Sequence, residues 1–220
     1  MKASNLMRSA VAATLLVLGS GAAVSGAPQA ADRVLKVPCC RCVDGNKLSV
    51  AVDTGRVSGW TVTKPGSTAA QAVVPASNPG WAPVAPASWV GAPGDPRNPG
   101  VYVYEFRFEV PRCVIPGGVS IAGRFAGDNS AKLMLDGALV ATNSGFKANQ
   151  ITNYTKTGIG PGTHVLRVEV TNIDVVTALA LSGTITVACP KDPNATAAGG
   201  GATGQLASAS GSCAGNCGKN

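Results

Sequence analysis

The sequence contains a single histidine, His164, and only 13% of its 220 residues are Asp, Glu, Lys or Arg. Its basic residues are scattered singly, without the run or stripe that marks a nucleic-acid or heparin surface. No Gly-x-Ser-x-Gly segment surrounds a serine, and no glycine-rich loop leads from a strand into a helix. These absences argue against nucleic-acid binding, nucleotide binding and a serine hydrolase.

The remaining candidates for catalysis are weak. His164 alternates with Leu166 and Val168, which is typical of a core or rim histidine rather than a general base. Glu105 and Glu109 share a strand face at a separation of about 13 Å, beyond the distance that glycoside hydrolysis uses. We therefore predict that the protein is not an enzyme and has no catalytic residues. An unrecognised hydrolase stays the least favoured alternative.

The N-terminal segment has the pattern of an export signal. Lys2 and Arg8 precede an uncharged run rich in Ala, Leu and Val, and Ser25, Gly26 and Ala27 offer small residues for cleavage. The run is shorter than the about 20 apolar residues that a spanning helix needs. We predict a signal peptide at 1–27, no membrane span in the mature form, and a secreted, periplasmic or cell-surface location.

All seven cysteines follow this segment, and an exported protein meets an oxidising environment in which cysteines usually pair. We expect two of the first three to bond the fourth and fifth, the last two to bond each other, and one thiol to be left over. A zinc site at the first three is the alternative, but no second closely spaced pair completes it. The cysteines are Cys39, Cys40, Cys42, Cys113, Cys189, Cys213 and Cys217.

The segment 28–189 predicts an all-β domain with little or no helix. Apolar and polar residues alternate over 102–110, 119–125 and 164–170, which is the period of a strand with one buried face. Asp136-Gly137 separates two such runs and predicts a hairpin. We expect an antiparallel β-sandwich, with a barrel as the alternative. Residues 190–220 are poor in large apolar side chains and predict a flexible tail.

Two phrases, FAGDNSAKLMLDG at 125–137 and GPGTHVLRVEVTN at 160–172, resemble the galactose-binding-like jelly roll. Such domains occur as non-catalytic sugar-binding modules in bacterial secreted proteins. The resemblance implies that this chain is an exported binding module for carbohydrate, at the cell surface or outside the cell. Asp128 and Asn129, within the first phrase, are candidate ligand contacts, although short polar side chains at such a turn more commonly cap the backbone.

The candidate ligand-binding residues are mainly aromatic, because the C–H faces of sugars stack on aromatic rings. Trp81 and Trp89 lie in a stretch rich in Pro and Gly, where central strands and helices are disfavoured, and Asp95 and Arg97 follow as candidate hydroxyl partners. The alternative is that both tryptophans fold back and fill the end of the sandwich. Tyr154, in a predicted polar loop, is the third aromatic candidate.

Two further expectations concern partners and ions. The formal net charge of +7 leaves room for a weak preference for anionic polysaccharide. An unpaired cysteine would allow a disulfide-linked partner, so a structural or adhesive surface protein is the main alternative function. We expect no cofactor and no catalytic metal. A structural calcium ion at oxygen-rich positions near Asp53, or near Asp174 and Asn172, is a minor alternative.

Overall fold

The computed structural model describes residues 34–38, 47–94, 97–115, 117–173 and 175–188. The predicted signal peptide 1–27 and the predicted tail 190–220 lie outside these ranges, as do Asp95 and Asp174. Six of the seven cysteines also lie outside them, namely Cys39, Cys40, Cys42, Cys189, Cys213 and Cys217. Cys113, in the turn after a long strand, is disulfide-bonded.

The described residues form thirteen strands and one 3₁₀ turn, Ala148–Gln150. No helix among them is long and apolar enough to cross a membrane. The strands are β1 Leu35–Lys36, β2 Lys47–Ala51, β3 Thr61–Thr63, β4 Ala70–Ala72, β5 Val74–Pro75, β6 Val90–Gly91, β7 Gly100–Val110, β8 Val119–Gly127, β9 Ser130–Leu135, β10 Ala138–Asn143, β11 Thr152–Ile159, β12 Gly162–Asn172 and β13 Leu179–Ala188.

The strands make two sheets, and the prediction of an antiparallel β-sandwich is confirmed. The first sheet has the order β10-β9-β12-β7-β3-β4, with β1 pairing in parallel to β7. The second has the order β11-β8-β13-β6-β5, with β2 on β13. Every pairing except that of β1 is antiparallel.

The core lies between the sheets and follows the alternation that the sequence predicts. In β7 the residues Tyr102, Tyr104, Phe106 and Phe108 are all buried, whereas Arg107 and Glu109 are exposed. The indole ring of Trp60, another buried core residue, stacks on Phe106, with 5.2 Å between the ring centroids. Burial of these rings supplies the main favourable free energy of the fold, because each removes a large apolar area from water.

The Asp136-Gly137 hairpin is also confirmed. Asp136 and Gly137 have φ values of 52° and 80°, as a tight turn with positive φ at both positions requires. The Asp136 carboxylate accepts hydrogen bonds from the Val165 amide at 2.8 Å and from the His164 ring at 2.7 Å. The turn is therefore tied to the neighbouring strand β12.

Two glycines let β8 and β13 approach closely. Gly123 of β8 lies opposite Gly183 of β13, on the inner face of the second sheet. A Cβ atom on Gly123 would collide with the backbone carbonyl oxygen of Ser182, and one on Gly183 would meet the Tyr154 hydroxyl and the Val52 side chain. Glycine is thus required at both positions because there is no space for a side chain, and not because the backbone has a positive φ.

The phenols of Tyr104 and Tyr154 are buried, and their hydroxyl groups have no hydrogen-bond partner among the described residues. Burial raises the pKa of both phenols above the ordinary value of 10.0. The neighbouring Tyr102 raises the pKa of Tyr104 further, and the negative charge of Asp53 does the same for Tyr154. Both side chains therefore stay neutral at a pH at which they would already be ionised in the unfolded chain.

We expect the free energy of unfolding to fall as the pH rises above about 10, because the unfolded state then loses the two phenolic protons while the folded state keeps them. Below that pH this contribution is fully present. The loss should reach about 1.4 kcal/mol per pH unit for each tyrosine. Urea unfolding at pH 8 to 11 measures it, and the double variant Tyr104→Phe, Tyr154→Phe should show a flatter profile. An unchanged profile would contradict the assignment.

Candidate functional site

A loop over residues 76–89 runs across the outer face of the second sheet and carries both candidate tryptophans. Ala126 of β8 and Ala180 of β13 point outward from this sheet, yet they are buried because Val84 of the loop packs on them. The prediction that residues 75–100 contain neither a central strand nor a helix holds for 76–89. Val90–Gly91 departs from it, since this two-residue strand, β6, lies between β13 and β5. The role of residues 76–89 as a wrap over the domain follows from the Val84 contacts.

The loop is held by polar contacts at several points. The Ala82 amide donates to the Phe146 carbonyl at 2.9 Å, and the Arg124 guanidinium donates to the Ala85 carbonyl at 2.8 Å. The Lys147 ammonium group donates to the Gly80 carbonyl at 3.2 Å. Because backbone groups of the loop are satisfied by fixed partners, the loop presents its side chains in a defined geometry.

The two tryptophan rings stack on each other. The ring centroids of Trp81 and Trp89 are 4.7 Å apart, at an angle of 28°. Trp89 packs on the apolar cluster beneath the loop, and its indole N–H donates to the Ala82 carbonyl at 3.0 Å. The indole N–H of Trp81 donates to an Asp128 carboxylate oxygen at 2.7 Å. Both rings are half-buried, so neither is a fully exposed platform.

Asp128 and Asn129 have structural contacts. Asp128 is 6% exposed, and besides Trp81 it engages Thr177, whose hydroxyl donates to the Asp128 carbonyl. The Asn129 side chain accepts a hydrogen bond from the Ile173 amide at 2.9 Å. These contacts agree with the turn-supporting role that short polar side chains commonly have at such a position.

The prediction that Tyr154 lies in a polar loop between strands is wrong. Tyr154 belongs to β11, is 4% exposed, and packs edge-on against Phe125 with 5.9 Å between the centroids. Its side chain occupies space that is left open because Gly123 and Gly183 have no side chains. It is a core residue and is not available to stack on a sugar.

Beside Trp89 lies a pocket of about 450 Å³, lined by three separate segments. These are residues 55–60 after β2, residues 72–75 at β4 and β5, and residues 88–90. Its polar lining residues are Arg56, Ser58 and Ser88, and its apolar lining residues are largely valines. The lining, as far as described residues form it, includes Trp89 but not Trp81.

Arg56, Ser58 and Ser88 were not predicted from the sequence. The Thr54-Gly55-Arg56 turn signal was visible, but nothing in a linear reading shows that it faces Trp89, more than 30 residues later. The predicted partner Arg97 is exposed and stands outside the described lining of the pocket. Asp95 cannot be placed, since it lies outside the described ranges.

His164, Glu105 and Glu169 are engaged with partners outside this pocket. Both ring nitrogens of His164 face acceptors, Nδ1 at 2.7 Å from Asp136 Oδ2 and Nε2 at 2.8 Å from the Gly160 carbonyl oxygen. The carboxylates of Glu105 and Glu169 both contact Arg167, at 3.6 and 2.9 Å. The glutamates and Arg167 lie on the outer face of the first sheet. Among the described residues, no cluster of three or more His, Cys, Asp or Glu could hold a metal ion.

No protein-family model matches this chain, and neither does any curated protein. Solved structures of two bacterial enzymes resemble it in part. An FMN-binding β-glucuronidase of Faecalibacterium prausnitzii is 20% identical over 64% of this chain and 22% of its own, with a TM-score of 0.39. A β-glucuronidase of Ruminococcus gnavus is 11% identical over 64% of this chain and 29% of its own, with a TM-score of 0.40. The chain spans less than a third of either enzyme, and these values establish neither a family nor an activity.

Proposed function

We propose that this protein is an exported, non-catalytic carbohydrate-binding module of the galactose-binding-like jelly-roll type, acting at the cell surface or outside the cell. The observation that carries the proposal is the pocket beside Trp89. Trp89 is one of the residues that line this cavity, and its indole ring is held by a stacked neighbour and by a hydrogen bond to the backbone.

The chemistry of this pocket suits a sugar. A sugar ring offers apolar C–H faces and peripheral hydroxyl groups, so it needs an aromatic or aliphatic surface together with a few hydrogen-bonding groups. Trp89 and the valines provide the first, while Ser58, Ser88 and Arg56 provide the second. A volume of about 450 Å³ lies within the range of pockets that take small ligands.

A non-catalytic role fits the positions of the acidic residues. Hydrolysis of a glycosidic bond uses two carboxyl groups on either side of the bond, and the described lining of the pocket contains no Asp or Glu. His164 and the glutamates bound to Arg167 lie in other strands with partners of their own. The pocket therefore offers recognition without an acid or a base.

The test is affinity electrophoresis of the full chain through gels that contain single polysaccharides, neutral and acidic. We expect retardation by at least one of them, reversed by its oligosaccharides. Absence of retardation across a broad panel would overturn the proposal.

Trp81→Ala should weaken this binding without abolishing it. Trp81 supports the Trp89 ring by stacking, and an aromatic pair contributes about 0.5–1.5 kcal/mol. We therefore expect a roughly 2- to 12-fold loss of affinity, since 1.4 kcal/mol corresponds to a factor of ten. Trp81→Phe, which keeps a ring but loses the bond to Asp128, should lose less. Equal affinities for wild type and Trp81→Ala would show that the stack does not support the site.

A further inference from the structure

We infer that the pocket beside Trp89 selects a sugar residue that carries a carboxylate, a uronic acid, and that Arg56 binds this carboxylate. The inference rests on the proposed function and names the class of sugar. Three features support it. The Arg56 turn is held rigidly relative to Trp89, Arg56 has no charge partner among the described residues, and a single guanidinium has the geometry to bind a carboxylate.

The turn that carries Arg56 is fastened directly to the segment that carries Trp89. The Ser88 amide donates to the Thr54 carbonyl at 2.9 Å, and the Thr54 hydroxyl donates back to the Ser88 carbonyl at 2.7 Å. Gly55, with a φ of 75°, packs so closely that a Cβ there would lie 2.6 Å from the Ser88 Cβ. Arg56 and Trp89 therefore belong to one preorganised wall rather than to two independent loops.

Arg56 has no ion pair and no hydrogen bond to another residue in the described part of the chain, and the described lining of the pocket has no acidic residue. Three other arginines differ in this respect. Arg107 and Arg167 contact Glu105, and Arg124 donates to the Ala85 carbonyl. A guanidinium at the edge of a pocket, with no acidic partner among the residues that the structure describes, is suited to a negative group on the ligand.

A carboxylate is a better match to this pocket than a phosphate or a sulfate ester. A guanidinium binds a planar carboxylate through two parallel N–H···O bonds, so one arginine satisfies the single charge. Tetrahedral anions in proteins are usually bound by several N–H donors, as at a helix N-terminus. The described lining includes one arginine, two serines and two tryptophans, of which Trp60 is buried in the core. This set suits a uronic acid, with its carboxylate on Arg56, its hydroxyls on the serines and a C–H face on Trp89.

The experiment compares the full chain with Arg56→Gln and with the control Arg112→Gln, which removes an equal charge from an exposed arginine outside the pocket. The probes are polygalacturonate, alginate and hyaluronate, the carboxyl-reduced neutral form of each, and dextran sulfate. We expect at least one uronate polymer to be bound at least about tenfold more tightly than its reduced form, because hydrogen bonds between charged groups are among the strongest. Arg56→Gln should remove this difference, and Arg112→Gln should keep it.

Each other outcome has a distinct meaning. Equal binding of a polymer and its reduced form, with no effect of Arg56→Gln, would overturn the inference and leave the carbohydrate-binding function standing. Equal losses in Arg56→Gln and Arg112→Gln would overturn it by showing non-specific charge attraction. Binding of dextran sulfate in preference to every uronate would also overturn it. No binding to any polymer, charged or neutral, would overturn the proposed function itself.

Discussion

Gly123→Ala is expected to lower the free energy of unfolding by at least about 3 kcal/mol. The new Cβ would collide with the Ser182 carbonyl oxygen, which belongs to the backbone of a central strand. Backbone atoms cannot rotate away as a side chain can, so β8 and β13 would have to separate. Overpacking in a core costs about 1–3 kcal/mol even where side chains can adjust.

Urea unfolding followed by circular dichroism measures this effect, and Gly160→Ala is the matched control. A Cβ on Gly160 would meet no atom within 4 Å, and its backbone does not have a positive φ. We expect this control to change the unfolding midpoint very little. A Gly123→Ala variant as stable as Gly160→Ala would contradict the packing of the second sheet described above.

Gly183→Ala should cost less than Gly123→Ala, because its Cβ would meet two side chains, those of Tyr154 and Val52, rather than backbone. Removing the Tyr154 hydroxyl should relieve part of that clash. The double variant Gly183→Ala, Tyr154→Phe is thus expected to be more stable than Gly183→Ala alone, a non-additive result typical of residues in contact.

The second large effect is expected for Trp89→Ala, which should abolish detectable glycan binding and also destabilise the domain. Trp89 is half-buried, packs on the cluster of Val84, Ala126 and Ala180, and forms part of the pocket wall. Full truncation of a buried aromatic costs about 3–5 kcal/mol, so about 2 kcal/mol is expected for this partly exposed ring.

A second variant separates the loss of the ring from the loss of stability. Trp89→Phe keeps an aromatic face over the cluster, so it should retain most of the stability and part of the affinity. Binding is measured by affinity electrophoresis at a temperature where thermal unfolding shows each variant to be folded. A folded Trp89→Ala that binds glycan as tightly as wild type would exclude the pocket as the binding site.

Much of the fold could be predicted because its strands are strongly patterned. The alternation of apolar and polar residues in β7 and β12 shows directly which residues face the core. The turn at Asp136-Gly137 is predictable because an Asp-Gly pair readily adopts the positive φ that a tight hairpin turn requires. His164 was correctly placed on the inward register of β12, where it lies opposite Phe108.

The strand β11 could not be predicted by the same signal. Its sequence TNYTKTGI has two buried residues, Tyr154 and Ile159, so an apolar period is hardly visible. Threonine suits a strand that packs at the edge of a sheet, but it also occurs in polar loops. Tyr154 was therefore predicted in a loop and as a sugar contact, whereas edge pairing with β8 places it in the core.

The candidate site was predictable only in its aromatic part. A tryptophan in a stretch of Pro, Gly and Ala stands out from its neighbours, but the Arg56 turn and Ser88 come together through hydrogen bonds between residues more than 30 positions apart. No local pattern encodes such a contact. The position of the Arg56 charge at the pocket, on which the class of sugar depends, is visible only in the folded structure.

The most direct measurement of the central claim is a two-dimensional ¹⁵N–¹H spectrum of the indole groups during titration with the oligosaccharides of a retained polysaccharide. The chain has three tryptophans, and Trp60, whose indole is 2% exposed and donates to the Val52 carbonyl, also lines the pocket. We predict saturable shifts of the Trp89 signal and smaller shifts of the Trp81 and Trp60 signals. A saturable binding curve that leaves the Trp89 signal unmoved would contradict the account.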